Sequence, residues 1–231
     1  KIVDELFVLN PNHFLAICKL IIERGYSFNI WAYSRVDTCK PVYLDTLKKA
    51  GVNWLGLGIE NPDNENRKVI HKEGFKEVSV LNQIDVIREA GINVGGNYIF
   101  GLPFDTEETM RNTLNFALEN PTEMANFYSA MAYPGSPLYA QARKDGVELP
   151  KTYAGYSQHS YETLNLRNNN LTASAILRFR DFAWDSYHTS EKYLDLMKKK
   201  FGNKAYEELN ATKKIKLKRR LFEESKTEQV V

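Results

Sequence analysis

The 231 residues are 43% hydrophobic and 26% charged with a formal net charge of +2, which fits a globular protein able to bury a core and excludes disordered, collagen-like and low-complexity classes. Apolar runs are interrupted by Gly, Asn or charge well short of the about 20 residues a helix needs to cross a bilayer, and no signal-peptide pattern opens the chain. Two cysteines, Cys18 and Cys39, argue against a disulfide framework, are too far apart to form a metal pair by spacing, and suit a reducing cytoplasm. From Met197 onward eleven Lys or Arg face five Glu, so the tail is the basic part; the interspersed Glu207, Glu208, Glu223 and Glu224 mark it as a solvated helical face rather than a nucleic-acid surface.

In chain order, residues 1–9 (KIVDELFVL) read as a strand that stops at Asn10-Pro11. A helix is predicted over 11–24, with Phe14, Ile17, Cys18 and Ile21 on one stripe and Gly25 as its C-terminal stop. A short aromatic strand follows over 28–36, then a brief helix carrying Leu44 and Leu47 into Ala50-Gly51. The unit repeats as a strand over 54–59, a helix over 78–90 and a strand over 92–100. Asp105 and Glu108 are spaced as a capping box for a helix over 106–119, and Pro121 closes it. A strand-like run over 124–132, a turn at Pro134-Gly135-Ser136-Pro137 and a helix over 138–144 complete the series. From Pro150 the pattern changes to tyrosines, an Asn168-Asn169-Asn170 turn and helices from about 172 to 222. Residues 1–150 therefore read as one α/β domain and 151–231 as a helical extension.

Alternating strands and helices with short connections require a parallel sheet with right-handed crossovers. The strand C-termini of such a sheet share one rim, which gathers Arg35, Glu60, Asn97, Pro103 and Tyr133. Glu60 and Arg35 offer an acceptor and a donor to a polar ligand, and backbone at Gly95-Gly96 and Gly101 can approach a ligand closely. Other site types are absent from the sequence: Gly56-Leu57-Gly58 lacks the third glycine of a dinucleotide fingerprint, and no phosphate-loop lysine, HExxH helix or G-x-S-x-G elbow occurs.

Four motifs in register, Gly58-Ile59-Glu60-Asn61, Ile70-His71-Lys72-Glu73-Gly74, Asn97-Tyr98-Ile99-Phe100-Gly101-Leu102-Pro103 and Pro134-Gly135-Ser136-Pro137-Leu138-Tyr139, resemble the radical S-adenosylmethionine (SAM) superfamily, especially its cobalamin-binding-domain class. The resemblance implies strands two to six of a partial (β/α)6 TIM-like barrel followed by a C-terminal helical tail. It also implies that Glu60 holds the polar end of SAM, Lys72 meets the methionine carboxylate, Asn97 serves the ribose, Ile99 and the Met131-Ala132 strand flank the adenine, and Arg35 reaches the same ligand. The cofactors implied are SAM and a 4Fe–4S cluster, with cobalamin for methyl transfer or ring formation on an unidentified small molecule or peptide.

The sequence departs from the family in one respect: the cluster loop Cys-x3-Cys-x2-Cys is absent, so the chain is expected to be a part of a longer enzyme and silent alone. The bare residues leave two other readings open, a complete non-radical α/β barrel enzyme and a non-enzymatic interaction module. Residues 1–9 are expected to form an exposed edge strand whose unpaired N–H and C=O groups favour a homodimer or strand exchange there.

Overall fold

The computed structural model describes residues 1–60, 80–212 and 216–227. Helix α1 (Pro11–Glu23) leads to β1 (Ile30–Arg35), α2 (Pro41–Lys49), β2 (Val52–Glu60), α3 (Val80–Glu89), β3 (Asn93–Phe100), α4 (Glu107–Glu119), β4 (Met124–Ser129) and α5 (Pro137–Lys144). After a 3-10 turn at Tyr153–Tyr156 come α6 (Ala173–Thr189), α7 (Glu191–Thr212) and α8 (Arg220–Thr227), with α7 broken at Gly202, whose φ is 82°. The strands form one sheet in the order β1-β2-β3-β4, and the β1–β2 and β2–β3 pairs are parallel. The α/β alternation read from the periodicity is thus the fold.

Residues 1–9 are not the expected strand. Ile2 N–H donates to Trp31 O at 2.9 Å and Val8 N–H to Tyr33 O at 3.3 Å, but the chain turns over residues 5–8 between these two bonds. The Asp4 carboxylate accepts from Leu6 N–H at 3.0 Å, a local bond that competes with a ladder. The described residues therefore form four strands rather than five. The last strand also ends earlier than the hydrophobic pattern implied, because the Gln158 side chain takes both backbone groups of Ser129, accepting from its N–H at 3.1 Å and donating to its O at 2.9 Å. At α4 the cap is shifted by one residue from the expected Asp105/Glu108 pair: Thr106 and Thr109 exchange side-chain-to-backbone bonds of 3.0 and 3.3 Å. Asp105 is buried instead and accepts from Leu102 N–H at 3.0 Å and the Thr109 hydroxyl at 2.8 Å.

The chain divides into two compact units, Lys1–Tyr98 with Glu119–Asn126, and Ile99–Leu118 with Phe127–Val231. In the first, Phe14 of α1 packs its ring against Phe7 and Tyr43 at 6.0 and 5.3 Å, and Leu44, Leu47, Ile84 and Ile87 bury the inward stripes of α2 and α3. Cys39, left unassigned by the sequence, is fully buried in this core. The buried Glu123 carboxylate accepts from Arg88 at 3.0 Å and from Val94 N–H at 2.9 Å, so its charge is both paired and hydrogen-bonded. In the second unit Phe100, Phe127, Phe179 and Tyr187 form a ring-on-ring core at centroid distances of 5.0–5.8 Å. Arg180 on α6 donates to Phe127 O at 2.7 Å.

Candidate functional site

Strand pairing sorts one face of the first unit into tiers. Trp31 pairs with Trp54, Tyr33 with Gly56 and then Gly95, and Arg35 with Gly58 and then Asn97. Residues two apart on a strand point the same way, so these three tiers stack along one face toward the C-terminal ends of the strands. The lower tiers are aromatic. Trp31 stacks on Trp54 with ring centroids 5.6 Å apart, and the flat rings fit only because the neighbours are glycines: a Cβ at Gly95 would lie 2.6 Å from the Trp31 ring, and one at Gly56 2.7 Å from Tyr33.

Above this floor the side chains become polar. Gly58 carries no side chain and pairs with Arg35 on one side and Asn97 on the other, on strands whose backbones are about 10 Å apart at two strand spacings. Asn97 donates to Leu57 O at 3.2 Å and accepts from Asn126 Nδ2 at 3.0 Å, which fixes its amide orientation. Arg35 donates through Nε and Nη2 to the two Asp37 oxygens at 2.8 and 2.7 Å, a fork-on-carboxylate pair. The Asp37 hydrogen bond, followed by Coulombic attraction from Asp37 and Glu60, raises the Arg35 pKa further above its ordinary value against the opposing effect of burial.

Glu60 ends β2 just past a register shift between Gly58 and Glu60. Its φ is +60°, which makes it the one non-glycine residue in the left-handed region among the described residues. A carboxylate held in that conformation without the freedom of glycine is a strained position of the kind that gathers at binding sites. The sequence named Arg35, Glu60 and Asn97 as candidates; Asp37 and Asn126, which bond to Arg35 and Asn97, were not among them. A charge pair two residues apart after β1 was a visible signal for Asp37; for Asn126 nothing short of the register gave one. The buried indole Nε1 of Trp31, in the aromatic floor, has no hydrogen-bond partner among the described residues.

Lys72 lies outside the described residues. Ile99, Met131 and Ala132 belong to the second unit. Ile99 is half-buried on β3, Met131 is buried, and Ala132 packs with Ala142 and Leu166. Pro103 and Tyr133 are in that unit too, Tyr133 half-exposed with its ring 5.9 Å from Tyr156.

Residues 9–117 match the radical SAM superfamily. This part of the chain belongs to that superfamily. An uncharacterized methyltransferase of Pyrococcus horikoshii is 26% identical over 157 residues, covering 68% of this chain and 34% of the relative. The anaerobic magnesium-protoporphyrin IX monomethyl ester cyclase of Cereibacter sphaeroides is 28% identical over 178 residues, covering 75% of this chain and 28% of the relative. The chain therefore spans about a third of the length of these curated relatives, or less. The fold is shared with the radical SAM methyltransferase TsrM of Kitasatospora setae, solved with cobalamin and a 4Fe–4S cluster, at a TM-score of 0.52 and 20% identity over 64% of this chain and 31% of that one.

Radical SAM enzymes use SAM and a 4Fe–4S cluster, and the two fit this chain differently. SAM carries an ammonium, a sulfonium, a carboxylate and ribose hydroxyls, for which Glu60, Arg35 and the Asn97–Asn126 amides are chemically matched. The cluster does not fit. The sequence has two cysteines, both buried, and no group of three His, Cys, Asp or Glu among the described residues could hold a metal ion.

Proposed function

We propose that this chain is the SAM-binding part of a cobalamin-class radical SAM enzyme, with the thiolates of its cluster carried by polypeptide outside these 231 residues. In this reading β1 to β4 are successive strands of a partial (β/α)6 barrel, residues 1–150 are the barrel portion and 151–231 a helical extension. The reaction class is methyl transfer or ring formation on a small molecule, as the names of the matched methyltransferase and cyclase indicate for those proteins. Bound SAM is the source of the reactive adenosyl or methyl group.

The observation that carries the reading is the strained carboxylate of Glu60 next to the Arg35–Gly58–Asn97 tier, within the stretch that matches the superfamily. Glu60 accepts from the ligand's ammonium. Arg35, oriented by Asp37, donates to its carboxylate or hydroxyls, and Asn97, oriented by Asn126, addresses the ribose. Lys72 for the methionine carboxylate, and Ile99, Met131 and Ala132 for the adenine, extend the assignment by family resemblance.

Anaerobic calorimetric titration of SAM into the cluster-bearing protein tests it. Glu60→Ala is expected to abolish measurable binding, and Asn97→Ala to weaken it about tenfold, the effect of one lost hydrogen-bonding group in a formed site. Unchanged SAM affinity in Glu60→Ala refutes the assignment. Uptake of hydroxocobalamin by the same preparation, read from its visible spectrum, tests the cobalamin class separately.

A further inference from the structure

The second unit contains a cleft of about 400 Å³ walled by the Gly101-Leu102-Pro103 turn, by α5 and by residues 166–169. No residue assigned above to SAM lines it. Its interior is apolar: buried Ala142 and Leu166 pack together behind it, and Leu138 and Val147 flank it. A volume of this size is at the lower end of the about 300–1,000 Å³ typical of small-molecule pockets, so it suits a compact ligand and not a large cofactor.

The polar groups at the cleft are unequal in what they have left to offer. Asn168 donates to Leu102 O at 2.8 Å and Asp105 O at 3.0 Å, and its Oδ1 accepts from Asn170 N–H and Leu171 N–H at 2.9 and 2.8 Å. Its amide therefore braces the turn. Gln141 donates to both oxygens of Asp145 at 2.7 and 2.8 Å, within α5 and its C-terminal cap. Arg167, exposed at the cleft, has no hydrogen bond or ion pair among the described residues. A planar guanidinium with all its donors available, at the edge of an apolar cavity, complements a ligand that is apolar at one end and a planar or tetrahedral oxyanion at the other.

We propose that this cleft binds a small organic anion whose apolar body fills the space between Leu102, Ala142 and Leu166 and whose acid group pairs with Arg167. The site shares no residue with the SAM assignment, and its test does not depend on that assignment.

Titration of the protein with 8-anilinonaphthalene-1-sulfonate, followed by fluorescence, and with the uncharged N-phenyl-1-naphthylamine separates charge from apolar contact. Saturable binding of one sulfonate is expected. Arg167→Gln, at an exposed position that does not threaten folding, should weaken the sulfonate about fivefold to tenfold, the effect of one charge-assisted pair, and leave the neutral dye unchanged. Leu138→Asp should weaken both. Absence of saturable binding, or equal sulfonate affinity in Arg167→Gln, overturns the proposal. So does a loss on Arg178→Gln instead, which would put the dye in the separate groove lined by Arg178, Phe179 and Phe182 between α4 and α6.

Discussion

Glu60 combines two properties that mutation can separate, its carboxylate and its backbone conformation. An L-residue at φ +60° loses about 1 kcal/mol relative to glycine, because its Cβ crowds the neighbouring carbonyl. Glu60→Ala removes the carboxylate and keeps the strain, whereas Glu60→Gly removes both. We expect the glycine variant to be more stable than the alanine variant by about 1 kcal/mol in urea unfolding, while both lose SAM affinity to the same degree. Equal stabilities would mean that the left-handed conformation is not held in solution. The residue type was legible in the sequence, since a Gly-Ile-Glu run at a strand end marks a polar group at a rim. The conformation was not, because it follows from the register shift beside Gly58, which no local pattern announces. Asn97 illustrates the same limit: its position was clear, but the bonds to Leu57 and Asn126 that set its amide depend on neighbouring strands.

At the scale of elements, small residues and buried charges hold the frame behind the site. The Trp31 ring occupies the space a side chain at Gly95 would need, 2.6 Å from the would-be Cβ, and two rigid rings stacked at 5.6 Å have little room to yield. Gly95→Ala should therefore cost about 1–3 kcal/mol, the range for overpacking a close-fitted core, with a matching fall in the urea midpoint. In the second unit the fully buried Arg219 donates to both Asp181 oxygens at 3.0 and 2.9 Å, to Ser160 O at 3.0 Å and to the Thr163 hydroxyl at 2.9 Å. Arg219→Met should cost about 3 kcal/mol, the low end for breaking a buried pair, since Asp181 keeps Arg180 at 2.8 Å and partial access to water. A loss under about 0.5 kcal/mol would show that α8 is not anchored through this arginine. Helices and strands were readable here because each keeps its period. The strand expected over residues 1–9 failed for the opposite reason: KIVDELFVL has β-forming residues, but Asp4 closes a local turn that the hydrophobic pattern does not register. Arg219 read as one more cation of a basic tail, and only the packing shows it buried.

For the whole molecule, the two thiols decide whether this chain can hold a cluster by itself. Cys18 on α1 and Cys39 before α2 are both buried, and loss of hydration pushes the Cys18 thiol up to about 11 and the Cys39 thiol up to about 12, with a hydrogen bond from Ser34 opposing the shift at Cys39. At pH 8 roughly a thousandth or less of either is thiolate, the form that binds iron. Anaerobic treatment of the 231-residue chain with ferrous iron and sulfide should leave its visible spectrum without a cluster band, and iodoacetamide should modify the native thiols far more slowly than the urea-unfolded ones. The same shifts fix a pH dependence. Because both folded-state values are raised, the unfolded chain releases these protons first, near pH 8.5–9, so the unfolded state gains stability relative to the native one as pH climbs from there toward 11. The contribution of the buried neutral thiols is fully present below pH 8. The urea midpoint should accordingly fall between pH 8.5 and 10, below the range in which the buried Tyr98 phenol, also raised by burial, adds its own effect. The paired substitution Cys18→Ala and Cys39→Ala should lower the midpoint at pH 7.5 but flatten its decline with pH. A decline of unchanged slope would show that the thiols are not the groups responsible, and with them would go the argument that this chain's own sulfur is closed to iron.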